Sequence, residues 1–302
     1  MLSASVDRYL AFKRALGFKC RMDESLLRNF VRFAVAHGDV LVTSDRASEW
    51  AVQAPTPPQR RNRLLAVRRL AVFLQAEDGR HQPPSPDVFG PARRSRRKAH
   101  IYEAADIQRL LNACDAMRDR DFELRPTMYR VLFGIIACTG LRVSEALALE
   151  VDDVTPDGLF IRETKFRKNR LVPIHPTVEE VLRDYRKARQ AWPGRTLFLA
   201  RTGKSLAYTT VVSAFLHLSR QLGLRGGPGE PGGRIHDLRH SFAVRSLERC
   251  AGTTASVSRH VLALSTYLGH AHVSDTYHYL QATPALLEQI ATMSEATMEL
   301  TS

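Results

Sequence analysis

Residues 82–100, QPPSPDVFGPARRSRRKAH, set the first limit on what this chain can fold into. Prolines at 83, 84, 86 and 91 bar a continuous helix and a central strand, because each removes a backbone donor and fixes its own φ. The segment reads as an extended connector between domains. It splits 302 residues into a first third that is helical throughout and a longer remainder of mixed character. Two domains are what a chain of this length accommodates. The expected fold class is mainly α with a small antiparallel β-sheet.

The charge is distributed unevenly about this break. The chain carries a formal +13, and residues 1–98 hold 19 Lys/Arg against 9 Asp/Glu, a net +10. A surplus of this size fits either a solvated surface or a polyanion partner bound through phosphate neutralisation and counterion release. No amphipathic, lipid-directed pattern accompanies it, so nucleic acid is favoured over membrane. No apolar run approaches the roughly 20 residues of a membrane span. The opening MLSASVDRYLAFKRALGF lacks the basic-then-apolar order of a signal peptide. Cys20, Cys114, Cys138 and Cys250 lie far apart with no C-x-x-C pair, as expected of scattered buried thiols in a reducing cytoplasm.

Residues 1–78 read as four helices. SASVDRYLAFKRALG stops at Gly17; DESLLRNFVRFAVAHG has Asp23 as a candidate cap and ends at Gly38; TSDRASEWAVQA follows; and TPPQRRNRLLAVRRLAVFLQAEDG is a long basic helix behind two prolines. Arg60, Arg61, Arg63, Arg68 and Arg69 crowd that last helix, with no acidic residue interleaved before Glu77. A helix laid along a DNA backbone accounts for them more economically than a solvated face. Arg93, Arg94, Arg96, Arg97 and Lys98 in the connector are either part of a plain linker or further backbone contacts.

From Ala104 the pattern predicts helices over EAADIQRLLNACDAM, a buried PTMYRVLFGIIACTG, and GLRVSEALALEV after a Thr139–Gly140 turn. GLFIRETKFRKNRLVPIH alternates like two short strands around a basic turn. Helices near 177–190 and 208–222, a flexible GLRGGPGEPGGR loop, helices over 236–250, 255–268 and 272–280, and a tail helix TPALLEQIATM complete the reading. There is no internal repeat.

Three stretches carry unusual chemistry. In TGLRVSEAL, Arg142 sits between apolar neighbours, a costly place for a charge that is neither paired nor reaching a ligand; Glu145, three positions on, can hold it. Lys165 marks the hairpin tip, with Arg167, Lys168 and Arg170 around it; such a turn is either simply exposed or inserted into a DNA groove as a compact proton donor. In RIHDLRHSFAV, His236, Arg239 and His240 share one arc of helix and can face a carboxylate of the protein, a metal or an incoming phosphate. A zinc site on the two histidines would lack the glutamate of H-E-x-x-H and would sit beside a repelling Arg239.

In order, TGLRVSEAL, TKFRKNRLVPI, HDLRHSFA and LGHAHVSDTYHYL resemble the tyrosine site-specific recombinases, the phage integrase family, over residues from about 100 to 282. The resemblance implies a helical DNA core-binding domain at 1–90, a basic linker at 91–100 and an α+β catalytic domain at 101–302. By the same resemblance Arg142 and Arg239 clamp a scissile phosphate, and His236 and His270 hydrogen-bond it. Lys165 then protonates the leaving 5′ oxygen, with Lys168 as the fallback because Phe166 stands where many relatives have glycine. Tyr279, nine residues after His270, attacks to form a 3′-phosphotyrosyl link. It further implies double-stranded DNA as partner, a homotetramer on a Holliday junction with the tail from about Thr283 packed on a neighbour, accessory recombination proteins, and neither cofactor nor metal.

Tyr277 and Tyr279 differ by about 200° on a helix, so one alone can face the phosphate. The spacing of Val273, Tyr277 and Leu280 assigns Tyr277 to packing and leaves Tyr279 off that stripe; Tyr267, before Gly269, is also expected to pack. Integration, excision, resolution and transposition are equally open. Behind the recombinase reading stand a type IB topoisomerase-like enzyme, then a DNA-binding accessory protein without catalysis, and at a distance a metal-dependent nuclease.

Overall fold

The computed structural model describes residues 2–90, 99–162, 169–250 and 254–280. They form two compact units, Met1–Arg96 and Arg97–Ser302.

In the first unit, α1 (Leu2–Ala15), α2 (Arg21–Ala36), α3 (Ser44–Val52) and α4 (Pro57–Gln75) enclose one core. Helix α2 buries Leu27, Phe30, Val31 and Ala34, the i, i+3, i+4, i+7 face of its sequence. Trp50 of α3 is fully buried and anchors the core: Phe30 meets it edge-on at 5.4 Å, and its indole Nε1 donates to Asn29 Oδ1 at 2.8 Å. Full burial of each such large apolar side chain is worth about 1.5–3 kcal/mol. Two helix starts differ from the sequence pattern. Asp23 does not cap α2: the helix follows Cys20, which takes φ +49°, and Asp23 lies inside the first turn, paired with Arg69 of α4 at 2.9 Å. Pro57 and Pro58 form the first turn of α4, where their missing N–H groups have no helical partner to lose.

The proline-rich segment departs further. Residues 82–90 are packed on the first unit and do not run as an extended connector. Arg68 Nη1 donates to Pro84 O at 2.6 Å, and Arg61 Nη1 donates to Pro86 O at 3.1 Å and Gly90 O at 2.7 Å. Gln82 N donates to Val42 O, the buried His81 Nδ1 accepts from Val42 N, and Phe89 packs against the core. A stretch that cannot form a ladder of its own still offers carbonyls, and two helix arginines satisfy them.

The second unit is built around α6 (Arg125–Thr139), which buries nine residues, from Met128 to Thr139, as its near-continuous apolar sequence demands. Helix α5 (Ala104–Ala113) precedes it; α7 (Val143–Ala148) starts immediately after the Gly140 turn. Strands β1 (Val154–Thr155), β2 (Gly158–Ile161) and β3 (Arg170–Val172) form an antiparallel sheet in that order, with Ile161 opposite Arg170 and Leu159 opposite Val172. Helices α8 (Pro176–Arg189) and α9 (Tyr208–Gln221) follow. The glycine-rich loop after α9, expected to be flexible, is tied down: Arg225 donates to the carbonyls of Glu230, Gly232 and Gly233, and Gly227 N donates to the Glu230 carboxylate.

Helices α10 (Ile235–Glu248), α11 (Thr254–Leu268) and α12 (Ser274–Leu280) close the unit around Ala243, Val244, Leu247, Val261, Leu264, Leu268 and Tyr279. All four cysteines are free thiols, and only Cys114 is buried. Among the described residues no helix is long and apolar enough to cross a membrane.

Candidate active site

Glu145 ties two arginines of the site together. Its carboxylate, only 8% exposed, closes the first turn of α7 by accepting from Arg142 N at 3.0 Å, while its other oxygen accepts from Arg142 Nη1 at 2.7 Å. Arg170 reaches the same carboxylate from β3 with two nitrogens, at 3.1 and 2.9 Å. Burial alone would raise this carboxyl; the Arg170 hydrogen bonds and charge, then those of Arg142, overcome it and hold it at about 2. Arg142 is thereby held at the start of α7, 30% exposed, with Nη2 3.3 Å from Gly269 O.

Arg239, on the first turns of α10, is 1% exposed. Its guanidinium donates to Gly140 O at 2.7 Å, Leu268 O at 2.8 Å and His270 Nε2 at 2.9 Å, and it hydrogen-bonds the Tyr279 phenol. Among the described residues none of its donors meets a carboxylate. Burial, then repulsion from Arg142, lowers it to about 10, still charged at neutral pH. Gly140, at φ +64°, ends α6 and aims that accepting carbonyl; a Cβ there would lie 2.6 Å from Phe242.

Because a guanidinium only donates, His270 must accept through Nε2. Its proton is therefore on Nδ1, which faces Thr276 Oγ1 at 2.7 Å. The Tyr279 ring stacks on His270 at 6.0 Å and meets His240 edge-on at 5.3 Å; His240 in turn meets His236 at 4.9 Å. Burial raises the Tyr279 phenol against the opposing pull of Arg239 and Arg142, so the hydroxyl keeps its proton at neutral pH. The crowding of protein around the imidazole, followed by the charge of Arg239, lowers His236, which is neutral under the same conditions. Among the described residues no three of His, Cys, Asp and Glu gather closely enough to hold a metal ion.

The structure thus brings Arg142, His236, Arg239, His270 and Tyr279 into one neighbourhood, from α7, α10, the turn after α11, and α12. Lys165, Arg167 and Lys168 lie outside the described residues, as do Arg93, Arg94, Arg96, Arg97 and Lys98. One assignment is corrected. Tyr277 is 54% exposed and does not pack; the buried face of α12 runs through Thr276 and Tyr279, three apart, because this seven-residue helix is wedged against α10 and α11. Tyr267 packs as expected, stacked on Phe242 at 5.7 Å.

Sequence reasoning missed the part played by Arg170. Its signal was the strand alternation, which puts Arg170 and the buried Val172 on the same face. It also missed the partners of the α4 arginines. Arg60 donates to Ala54 O, Arg61 and Arg68 hold the proline-rich segment, Arg63 lies 5.0 Å over Trp50, and Arg69 pairs with Asp23.

Residues 101–285 match the phage integrase family. The chain is 40% identical over 297 residues to the putative integrase/recombinase y4rB of Sinorhizobium fredii (strain NBRC 101917 / NGR234), covering 94% of each. It is 30% identical over 223 residues to tyrosine recombinase XerC of Neisseria meningitidis serogroup C, covering 72% of this chain and 66% of that one. In fold it is similar to XerH recombinase in a post-cleavage complex with palindromic difH substrate, with a TM-score of 0.64 and 21% identity over 89% of this chain and 77% of that one. With these likenesses added to the clustered arginines, histidines and tyrosine, the chain belongs to the phage integrase family, the tyrosine site-specific recombinases.

Proposed function

We propose that this recombinase cuts and rejoins DNA by direct attack of Tyr279 on a phosphodiester seated between Arg142 and Arg239. The observation that carries this reading is the single hydrogen-bonded cluster of Arg239, His270 and Tyr279, with Arg142 close enough to perturb both Arg239 and Tyr279. Two guanidiniums supply planar donors and two positive charges for the non-bridging oxygens as charge builds on phosphorus. The Tyr279 oxygen forms the new bond to phosphorus and the bond to the 5′ oxygen breaks. The phenolic proton passes to neutral His236, and Lys165 protonates the departing oxygen. The 5′ hydroxyl of an incoming strand reverses these steps, so the phosphotyrosyl link conserves the bond energy for rejoining.

A lambda integrase of similar fold (TM-score 0.64, 16% identity, covering 92% of this chain and 76% of that one) forms a tetramer on a Holliday junction. That supports a homotetramer of this chain on DNA. The reaction belongs in the cytoplasm, where the DNA lies. The arginines of α4, with whatever donors their internal partners leave over, and those of residues 93–98 would hold the duplex backbone.

The test is adduct formation on a library of duplexes nicked close to a randomised scissile position, so that the short fragment bearing the new 5′ hydroxyl diffuses away and the adduct is trapped. Wild-type protein and Tyr277→Phe are expected to form a denaturant-resistant protein–DNA adduct, and Tyr279→Phe none. An adduct with Tyr279→Phe would overturn the assignment.

A further inference from the structure

We propose that Arg170 is a positioning residue for the phosphate clamp, acting through Glu145 on Arg142 and through the chain at Tyr267–Gly269 on His270. The inference rests on the reading of the pocket as a phosphodiester site and deepens it.

Arg170 joins three of the segments converging there. From β3 its Nη1 and Nη2 take Glu145 in a fork at 3.1 and 2.9 Å, and its Nε donates to Tyr267 O at 3.0 Å, near the end of α11. Gly269 lies directly over the guanidinium: a Cβ on it would come 2.6 Å from Nη1 and 2.9 Å from Cζ, and its own φ is +66°. Gly269 O is in turn an acceptor for Arg142 Nη2, and the next residue is His270. The side chain is 12% exposed, less than half the value for Arg142, so it supports the site from behind.

The charge pattern gives this arrangement its consequence. An Arg142–Glu145 pair alone is neutral, with the carboxylate competing with any phosphate for the Arg142 donors. Here each Glu145 oxygen accepts one bond from Arg142 and one from Arg170. The three-residue group carries a net +1, the carboxylate is saturated, and Arg142 keeps both its orientation and its pull on an anion. Lysine is a poor replacement for Arg170, since its donors sit on one nitrogen and lack the planar fork that grips both carboxylate oxygens while Nε reaches the Tyr267 carbonyl.

The test compares two nicked duplexes, one with a normal scissile phosphodiester and one with a methylphosphonate there. The methylphosphonate lacks one anionic oxygen and asks less of the clamp. Arg170→Lys and Arg170→Gln are run together, with circular dichroism as the folding check, so the comparison survives misfolding of either. The expected result is adduct formation slowed about 10- to 100-fold on the phosphodiester and less than about 3-fold on the methylphosphonate, relative to wild type on each. Equal slowing on both substrates would mark a merely structural role and overturn the inference, as would no slowing on the phosphodiester. Wild-type protein that forms no adduct on any nicked duplex would instead sink the strand-cleavage reading beneath it.

Discussion

Arg239 keeps a positive charge where water scarcely reaches, and its bonds run to two main-chain carbonyls, an imidazole and a phenol. Glu145, which offsets part of that charge, is already saturated by two other arginines. A protein keeps so costly an arrangement when an anion is to fill it. The convergence of Arg142, Arg239, His236 and His270 was legible in their sequence motifs; which of the two tyrosines lies buried among them was legible only in part. Seven residues are too few to separate a spacing of three from one of four, so Tyr277 was read as packed when it is Tyr279 that is buried. Glu145 offers a pH test. Its carboxyl stands near 2 in the fold against an ordinary 4.5, so its contribution is complete above about pH 4.5 and disappears as pH falls toward 2. Glu145→Gln is therefore expected to be less stable than wild type at pH 7 by about 3 kcal/mol at most. In urea unfolding measured from pH 6 down to about pH 3, the gap should hold to about pH 4.5 and narrow below it; a gap constant over the whole range would contradict this assignment.

At the scale of elements, helix placement followed from apolar periodicity and glycine stops, as in α2 and α6, whose buried faces are those their sequences mark. What periodicity does not show is where a polar side chain spends its donors. The arginines of α4 looked unopposed within their own helix, yet Asp23 comes from α2 and the acceptors of Arg61 and Arg68 come from carbonyls beyond residue 80. Likewise Arg225 turns a glycine-rich loop into a fixed one. Arg61→Ala and Arg68→Ala should release residues 82–90 from the first unit. Amide exchange across 81–90 is expected to accelerate about 10-fold or more, while amides in the core of α2 stay protected. Unchanged exchange in 81–90 would show that these arginines do not hold the segment.

For the whole molecule, the surplus of positive charge is concentrated in residues 1–98, and residues 99–302 are nearly balanced. That division was visible in the sequence before any fold was known, because charge counts need no geometry. A recombinase holding duplex DNA through six or more phosphates should lose about 10³-fold in affinity between 50 and 200 mM salt, whatever the sequence of a non-specific duplex. Filter binding across that range would reveal a shallow dependence if the charge were only a solvated surface. Tyr279 is expected to take the DNA strand covalently. The most direct measurement is mass spectrometry of the protein trapped on a nicked duplex, digested with nuclease and protease. A nucleotide mass on the peptide containing Tyr279, localised to that phenol, is the predicted result; the same mass on Tyr277, Tyr267 or a serine would contradict the account.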